Sequence, residues 1–302
     1  MSEILLFKNR NGSAELIMSE PVGLEKHLQT FIEDNLETIF GIRLLASEYV
    51  IPGGRMDSLG LDENNSPVII EYKRNSNDNV INQGLFYLNW LVDHKGDFQI
   101  LVQEKLGMDI AVEWTNPSVI CIASDFNKYD EHAVNQMQKN ILLYRYKKYG
   151  NELLLLEGVN TPLQPIKASQ STVAAGSEWI LEDTNVYSRY VKAPPRIQEV
   201  FDEVKGFALS LSDEIKEVYL KHYLAFRVTR NFITAQITQS KVLLYLSLDV
   251  EGYQDILPEE RIRDVREIGH YGTGDLEVEL HSLEDFERYK YLIQEAYERK
   301  VT

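Results

Sequence analysis

Between Gly53 and Tyr87 the chain gathers side chains that could hydrolyse a phosphodiester. Gly54-Arg55-Met56-Asp57 reads as a strand, Glu63-Asn64-Asn65-Ser66 as a turn, and Pro67-Val68-Ile69-Ile70-Glu71-Tyr72-Lys73 as the next strand. Val68-Ile69-Ile70 shows no polar alternation, which predicts burial on both faces. Yet the strand ends in Glu71 and Lys73. Side chains two apart on a strand share a face, so two ionisable groups leave a buried strand side by side. Unpaired buried charge is expensive, and a divalent cation would offset it. Asp57, on the neighbouring antiparallel strand, is expected near Glu71. Two carboxylates that close repel unless a cation or proton lies between them. Mg²⁺ takes one or two carboxylates plus waters and phosphate oxygens. Lys73 would then face the scissile phosphate, orienting water or stabilising developing charge. Gln83 and Tyr87 share a helix face at i, i+4, where Gln83 could bond the water or the phosphate. The bland alternative is a structural Glu–Lys pair beside an unrelated Asp.

These residues need strands and helices to hold them. The region 21–40 reads as helical, with Leu24, Leu28, Phe31, Ile32 and Leu36 at helical spacing. Residues 3–8 and 14–18 read as a hairpin around Asn11-Gly12. Strands are expected near 44–50, 54–62 and 66–73, a helix over 78–93, and strands at 98–102 and 119–123. The order predicts an α/β mixed sheet flanked by helices. Pro162 to Gly176 is small, polar and weakly periodic, as linkers are. The expected division is a first domain over 1–162, a linker over 163–185 and a C-terminal α+β domain over 186–302.

The ordered set Asp57, Glu71-x-Lys73 and Gln83-x-x-x-Tyr87 resembles the PD-(D/E)XK nuclease superfamily, and within it the nuclease domain of NucS-like endonucleases. The likeness covers about residues 20–105. It implies a restriction-endonuclease-like fold and an Mg²⁺- or Mn²⁺-dependent endonuclease acting on DNA. On that resemblance Asp57 and Glu71 are metal ligands, Lys73 the catalytic lysine and Gln83 the helix-borne accessory. The upstream acid is Glu25 or Glu33. Glu25 is preferred because it precedes Leu28 as in the family pattern. Arg55, Arg74 and Tyr87 are the candidate substrate contacts. Met56 stands where the superfamily name has Pro, and no counterpart of the DNA-binding domain that precedes the nuclease domain in NucS proteins is expected before residue 20, so mismatch or flap specificity is not expected to transfer. Residues 187–299 resemble a small uncharacterised domain found behind such nuclease-like domains, in so-called predicted transport proteins. The expected role of that domain is partner or substrate recognition.

Composition bounds these readings. The chain has 302 residues, 44% of them hydrophobic, as in ordinary globular proteins. It has no run near the length a membrane helix needs and no secretory leader at its start, so a cytoplasmic protein without membrane contact is expected. One cysteine makes no internal disulfide. The net charge is -16, and each half of the chain is similarly acidic. That opposes nonspecific nucleic-acid binding and motivates an alternative, a non-cleaving nucleic-acid- or protein-binding module on a nuclease-like fold. Oligomeric state stays open, a homodimer included.

Overall fold

In a computed structural model of the chain, residues 4–20, 25–73, 80–137, 139–150, 152–159, 186–253, 255–257, 261–268 and 270–301 are described, Glu20, Glu25, Asn135 and Val301 by backbone alone. The expected linker, Arg74 and the Glu25 side chain fall outside them. The chain divides into two compact units, Met1–Leu163 and Gln164–Thr302.

The first unit opens with a hairpin, β1 (Leu6–Arg10) and β2 (Ser13–Ile17), and a short β3 (Ser19–Glu20). Helices α1 (Glu25–Asp34) and α2 (Leu36–Phe40) lead into β4 (Ile42–Ile51), β5 (Gly54–Asp62) and β6 (Pro67–Lys73). Then come α3 (Val80–Asp93), α4 (Lys95–Leu106), β7 (Ser118–Ala123), α5 (Lys128–Gln136), β8 (Asn140–Tyr149) and β9 (Leu153–Gly158). Strands β3 to β9 form one sheet in the order β3-β8-β7-β6-β5-β4, with β9 also on β8, and β1-β2 stand as a separate two-stranded sheet. The β6-β7-β8 pairs are parallel and the others antiparallel. This is a mixed sheet flanked by helices.

Alternation along β6 explains its unbroken apolar run. Val68, Ile70 and Tyr72 face Leu28, Ile32, Leu36 and Phe40 of α1 and α2. Ile69 faces Ile81, Leu88 and Leu91 of α3, together with Val119 and Cys121 of β7. Both faces are therefore dry. Fully buried side chains such as Ile32, Ile69 and Ile70 each contribute about 1.5–3 kcal/mol.

The strand expected at 98–102 is instead the middle of α4. A five-residue stretch with four apolar residues carries no clear period of its own. Here Phe98 and Val102, four apart, form the buried stripe while Gln99 and Gln103 reach the loop beyond: Gln99 donates to the Ile110 carbonyl at 2.8 Å and accepts from the Val112 N–H at 3.1 Å. That loop anchoring selects the helix.

The second unit holds α6 (Val186–Lys192), α7 (Pro195–Ser210), β10 (Lys216–Tyr219), β11 (Leu224–Arg227), β12 (Asn231–Ile237), β13 (Val242–Leu246), β14 (Ile262–Asp264), β15 (Leu276–Leu280) and α8 (Leu283–Val301). Its antiparallel sheet runs β10-β11-β12-β13-β15-β14. Ile197, Val200 and Val204 of α7 and Leu292, Ile293 and Ala296 of α8 join Phe232, Leu244 and Val278 of the sheet in one core. Gly272 at φ 111° and Gly274 at φ 132° shape the loop before β15. A Cβ at Gly274 would stand 2.7 Å from backbone of Tyr245 and Leu246. Among the described residues, no helix is long and apolar enough to cross a membrane.

Candidate active site

The site begins where β5 and β6 part. Their ladder pairs Ser58 with Ile70 through Leu61 with Pro67. Continued by one residue, that register sets Asp57 opposite Glu71. There the side chains replace the ladder. The Asp57 N–H donates to Glu71 Oε1 at 3.2 Å, and the Tyr72 N–H donates to Asp57 Oδ2 at 3.0 Å. Each carboxylate thus caps a backbone donor that the separating strands would otherwise leave unmet. The same interlock fixes both acids in orientation.

Alternation places Asp57 with Leu59 and Leu61, and Glu71 and Lys73 with Ile69, on the α3 side of the sheet. Glu71 is 1% exposed. Burial first, then the Asp57 charge, pushes its pKa up to about 8, while the Asp57 N–H and the Lys73 ammonium pull it down. Burial likewise raises Asp57, against the Tyr72 N–H and Lys73. Lys73 leaves β6 on the same face as Glu71 and acts electrostatically on both acids. Beneath them, parallel pairing sets Cys121 of β7 beside Glu71. Burial, then the Glu71 charge, raises that thiol far above its ordinary value.

Two acids that sequence reasoning ranked low or missed support the pair. Glu33, the rival to Glu25, accepts from Ser58 Oγ at 2.6 Å and Gln29 Nε2 at 2.9 Å on one oxygen, and from Ser47 Oγ at 3.1 Å on the other. The Tyr72 hydroxyl lies 3.2 Å from Ser58 Oγ. Gln29 also donates to the Asp57 carbonyl at 3.0 Å. This network occupies the α1 face, behind the sheet from the paired acids, and braces the strand that carries Asp57. Its sequence trace is Gln29 and Glu33 at i, i+4. Glu48 of β4 was missed altogether. It is held at φ 55°, a region non-glycine residues seldom adopt, with Lys26 at 2.8 Å and Arg55 at 2.7 Å. Its charge raises Asp57 from the rim. Only the β4–β5 register, which faces Glu48 towards Asp57, reveals it.

The remaining candidates divide. Gln83 is exposed on the first turn of α3. Arg55 keeps an exposed side chain and pairs with Glu48. Tyr87, expected to touch substrate, is 6% exposed and belongs to the core. Its hydroxyl accepts the Arg55 N–H at 3.2 Å, so it holds the start of β5. Gly54 permits that contact, since a Cβ there would stand 2.6 Å from the Tyr87 ring. Gly54→Ala is therefore expected to destabilise the protein by about 1–3 kcal/mol, read by urea denaturation. In a Tyr87→Ala background most of that loss should vanish; an equal loss in both would show that the ring is not the obstacle.

Among the described residues, no group of three or more His, Cys, Asp or Glu is placed to hold a metal. The Asp57–Glu71 pair has the donor chemistry of a hard divalent cation site, which needs only one or two carboxylates from the protein, and burial is the largest cause of the raised pKa of each acid.

Both units have counterparts among known protein families. Residues 24–109 match the family model of the endonuclease NucS C-terminal domain, and 186–300 match a domain of unknown function, DUF5655. An uncharacterized protein of Haemophilus influenzae is 29% identical over 303 residues, covering 96% of this chain and 98% of its own. Among solved structures, a repair endonuclease from Pyrococcus abyssi matches at 19% identity and a TM-score of 0.25, over 40% of this chain and 47% of that one. An EndoMS complex with double-stranded DNA matches at 18% identity and a TM-score of 0.26, over 42% and 47%. The chain thus spans about half the length of these solved structures.

Proposed function

We propose that the first unit is a metal-dependent nuclease hydrolysing phosphodiester bonds in DNA. The observation that carries this reading is the convergence of Asp57, Glu71 and Lys73 at the point where β5 and β6 separate. Similarity of residues 24–109 to the NucS C-terminal domain supports it. Asp57 and Glu71 would hold Mg²⁺ or Mn²⁺. When bound, the ion polarises the phosphodiester and acidifies a water. The chain does the rest. The two backbone N–H bonds orient the acids, Lys73 offers positive charge to the phosphate oxygens as negative charge builds on them, and Gln83 supplies a hydrogen-bonding side chain from α3. Arg55 and Arg74 are the proposed contacts to the DNA backbone. The second unit serves as an accessory module for substrate or partner recognition.

The test is cleavage of single-stranded, duplex and branched DNA by the purified full chain with Mg²⁺ or Mn²⁺. Products formed with metal and lost on chelation are expected. Absence of cleavage on all three substrates would end the enzyme reading. The net charge of -16 favours a second reading, a binding module that does not cut. Calorimetric titration with Mn²⁺ separates the two, because a pure binding module has no need of a cation between Asp57 and Glu71.

A further inference from the structure

The β1–β2 hairpin has two unlike faces. Its register pairs Phe7 with Leu16 and Asn9 with Ala14, and one step outward the same register sets Leu5 against Met18. Alternation puts these six side chains on one face. None is charged, and all are exposed. Leu5 is 57%, Phe7 52%, Leu16 44% and Met18 69% exposed. Every charge of the two strands lies on the other face: Lys8, Arg10 and Glu15, with an Arg10–Glu15 ion pair at 3.5 Å. That charged face also carries Leu6 and Ile17, which are half-buried. The hairpin therefore turns its apolar, uncharged side to solvent. A two-stranded hairpin alone in water is marginally stable, and an apolar patch of this kind marks an interaction surface.

We propose that two copies of this chain associate through that face. Charge decides the occupant. Nucleic acid is bound through cations, and this face has none. A chain of net charge -16 repels its own copy across any surface that carries the excess acids. The hairpin face carries none of that excess, so two copies can approach there without bringing like charges together. Under two-fold symmetry the same patch serves both partners, and Phe7 and Leu16 at its centre meet their counterparts. Complete burial of the four large side chains of each copy would remove roughly 800 Å² in total, to which Asn9 and Ala14 add, at the weak, transient end of interface sizes. A reversible dimer follows, and it does not depend on the nuclease reading.

Sedimentation equilibrium of the full chain tests this. The weight-average mass should rise with concentration from 34.9 kDa towards twice that value. Ala14→Lys and Leu16→Lys put a charge on an exposed position of the face, so folding is untouched and thermal melting should match wild type. Each should raise the dissociation constant at least about tenfold, since like charges are brought together across the interface. Lys8→Ser, on the other face, should leave it unchanged. A monomer at every concentration, or a dimer that both lysine variants leave as tight as before, overturns the proposal.

Discussion

Asp57→Ala and Lys73→Ala are each expected to slow metal-dependent DNA cleavage by at least about 10²–10³-fold, the usual loss when a group stabilising developing charge is removed. The reasons differ. Without Asp57, the Tyr72 N–H loses its acceptor and Glu71 is left as a lone ligand. Without Lys73, both acids lose the positive charge that holds their pKa values down, so a proton competes better with a cation for the pair. The Asp57→Ala loss should therefore persist at saturating metal and high pH, and the Lys73→Ala loss should shrink in part. Rates measured against Mn²⁺ concentration at several pH values check this. Residual activity equal in wild type and both variants would identify a contaminant and sink the assignment.

Glu71→Gln is expected to make the metal-free protein more stable. The Glu71 pKa is about 8 folded against an ordinary 4.5. Below 4.5 the group is protonated in both states and contributes nothing to the pH dependence. Between 4.5 and 8 the unfolded chain releases a proton that the folded chain retains, so stability falls as pH rises and levels off above 8. Gln does not titrate and can still accept the Asp57 N–H. Because Asp57 titrates together with Glu71, the gain at pH 8 should be about 2–4 kcal/mol, less than the full shift at about 1.4 kcal/mol per unit. Urea denaturation in chelator, at the two ends of that pH range, measures it. Mn²⁺ should narrow the gap by stabilising wild type alone. A Glu71→Gln protein less stable than wild type at the alkaline end would mean that the carboxylate is favourably paired and that the strained pair does not exist.

What could be read in the sequence followed from local rules. Period-two spacing placed Glu71 and Lys73 on one face, and the Val68–Ile70 run implied a strand covered on both sides. Asn11-Gly12 marked the hairpin. What escaped reading depends on register between distant strands. Glu48 faces Asp57 only because β4 and β5 pair as they do. Glu33 reaches Ser58 only because α1 packs behind that strand. Tyr87 sits in the motif but serves the backbone, a distinction that i, i+4 spacing cannot make. The helix at Lys95–Leu106 was misread because a short, mostly apolar stretch fits either period.

The thiol next to Glu71 has a further consequence. Cys121 is fully buried, and burial holds its thiol well above its ordinary pKa, so it is a poor nucleophile. As the chain's one cysteine, it also works as a chemical clock. An alkylating reagent can reach it only when the sheet under the site opens, so the labelling rate times the breathing of the very strands that aim the two acids.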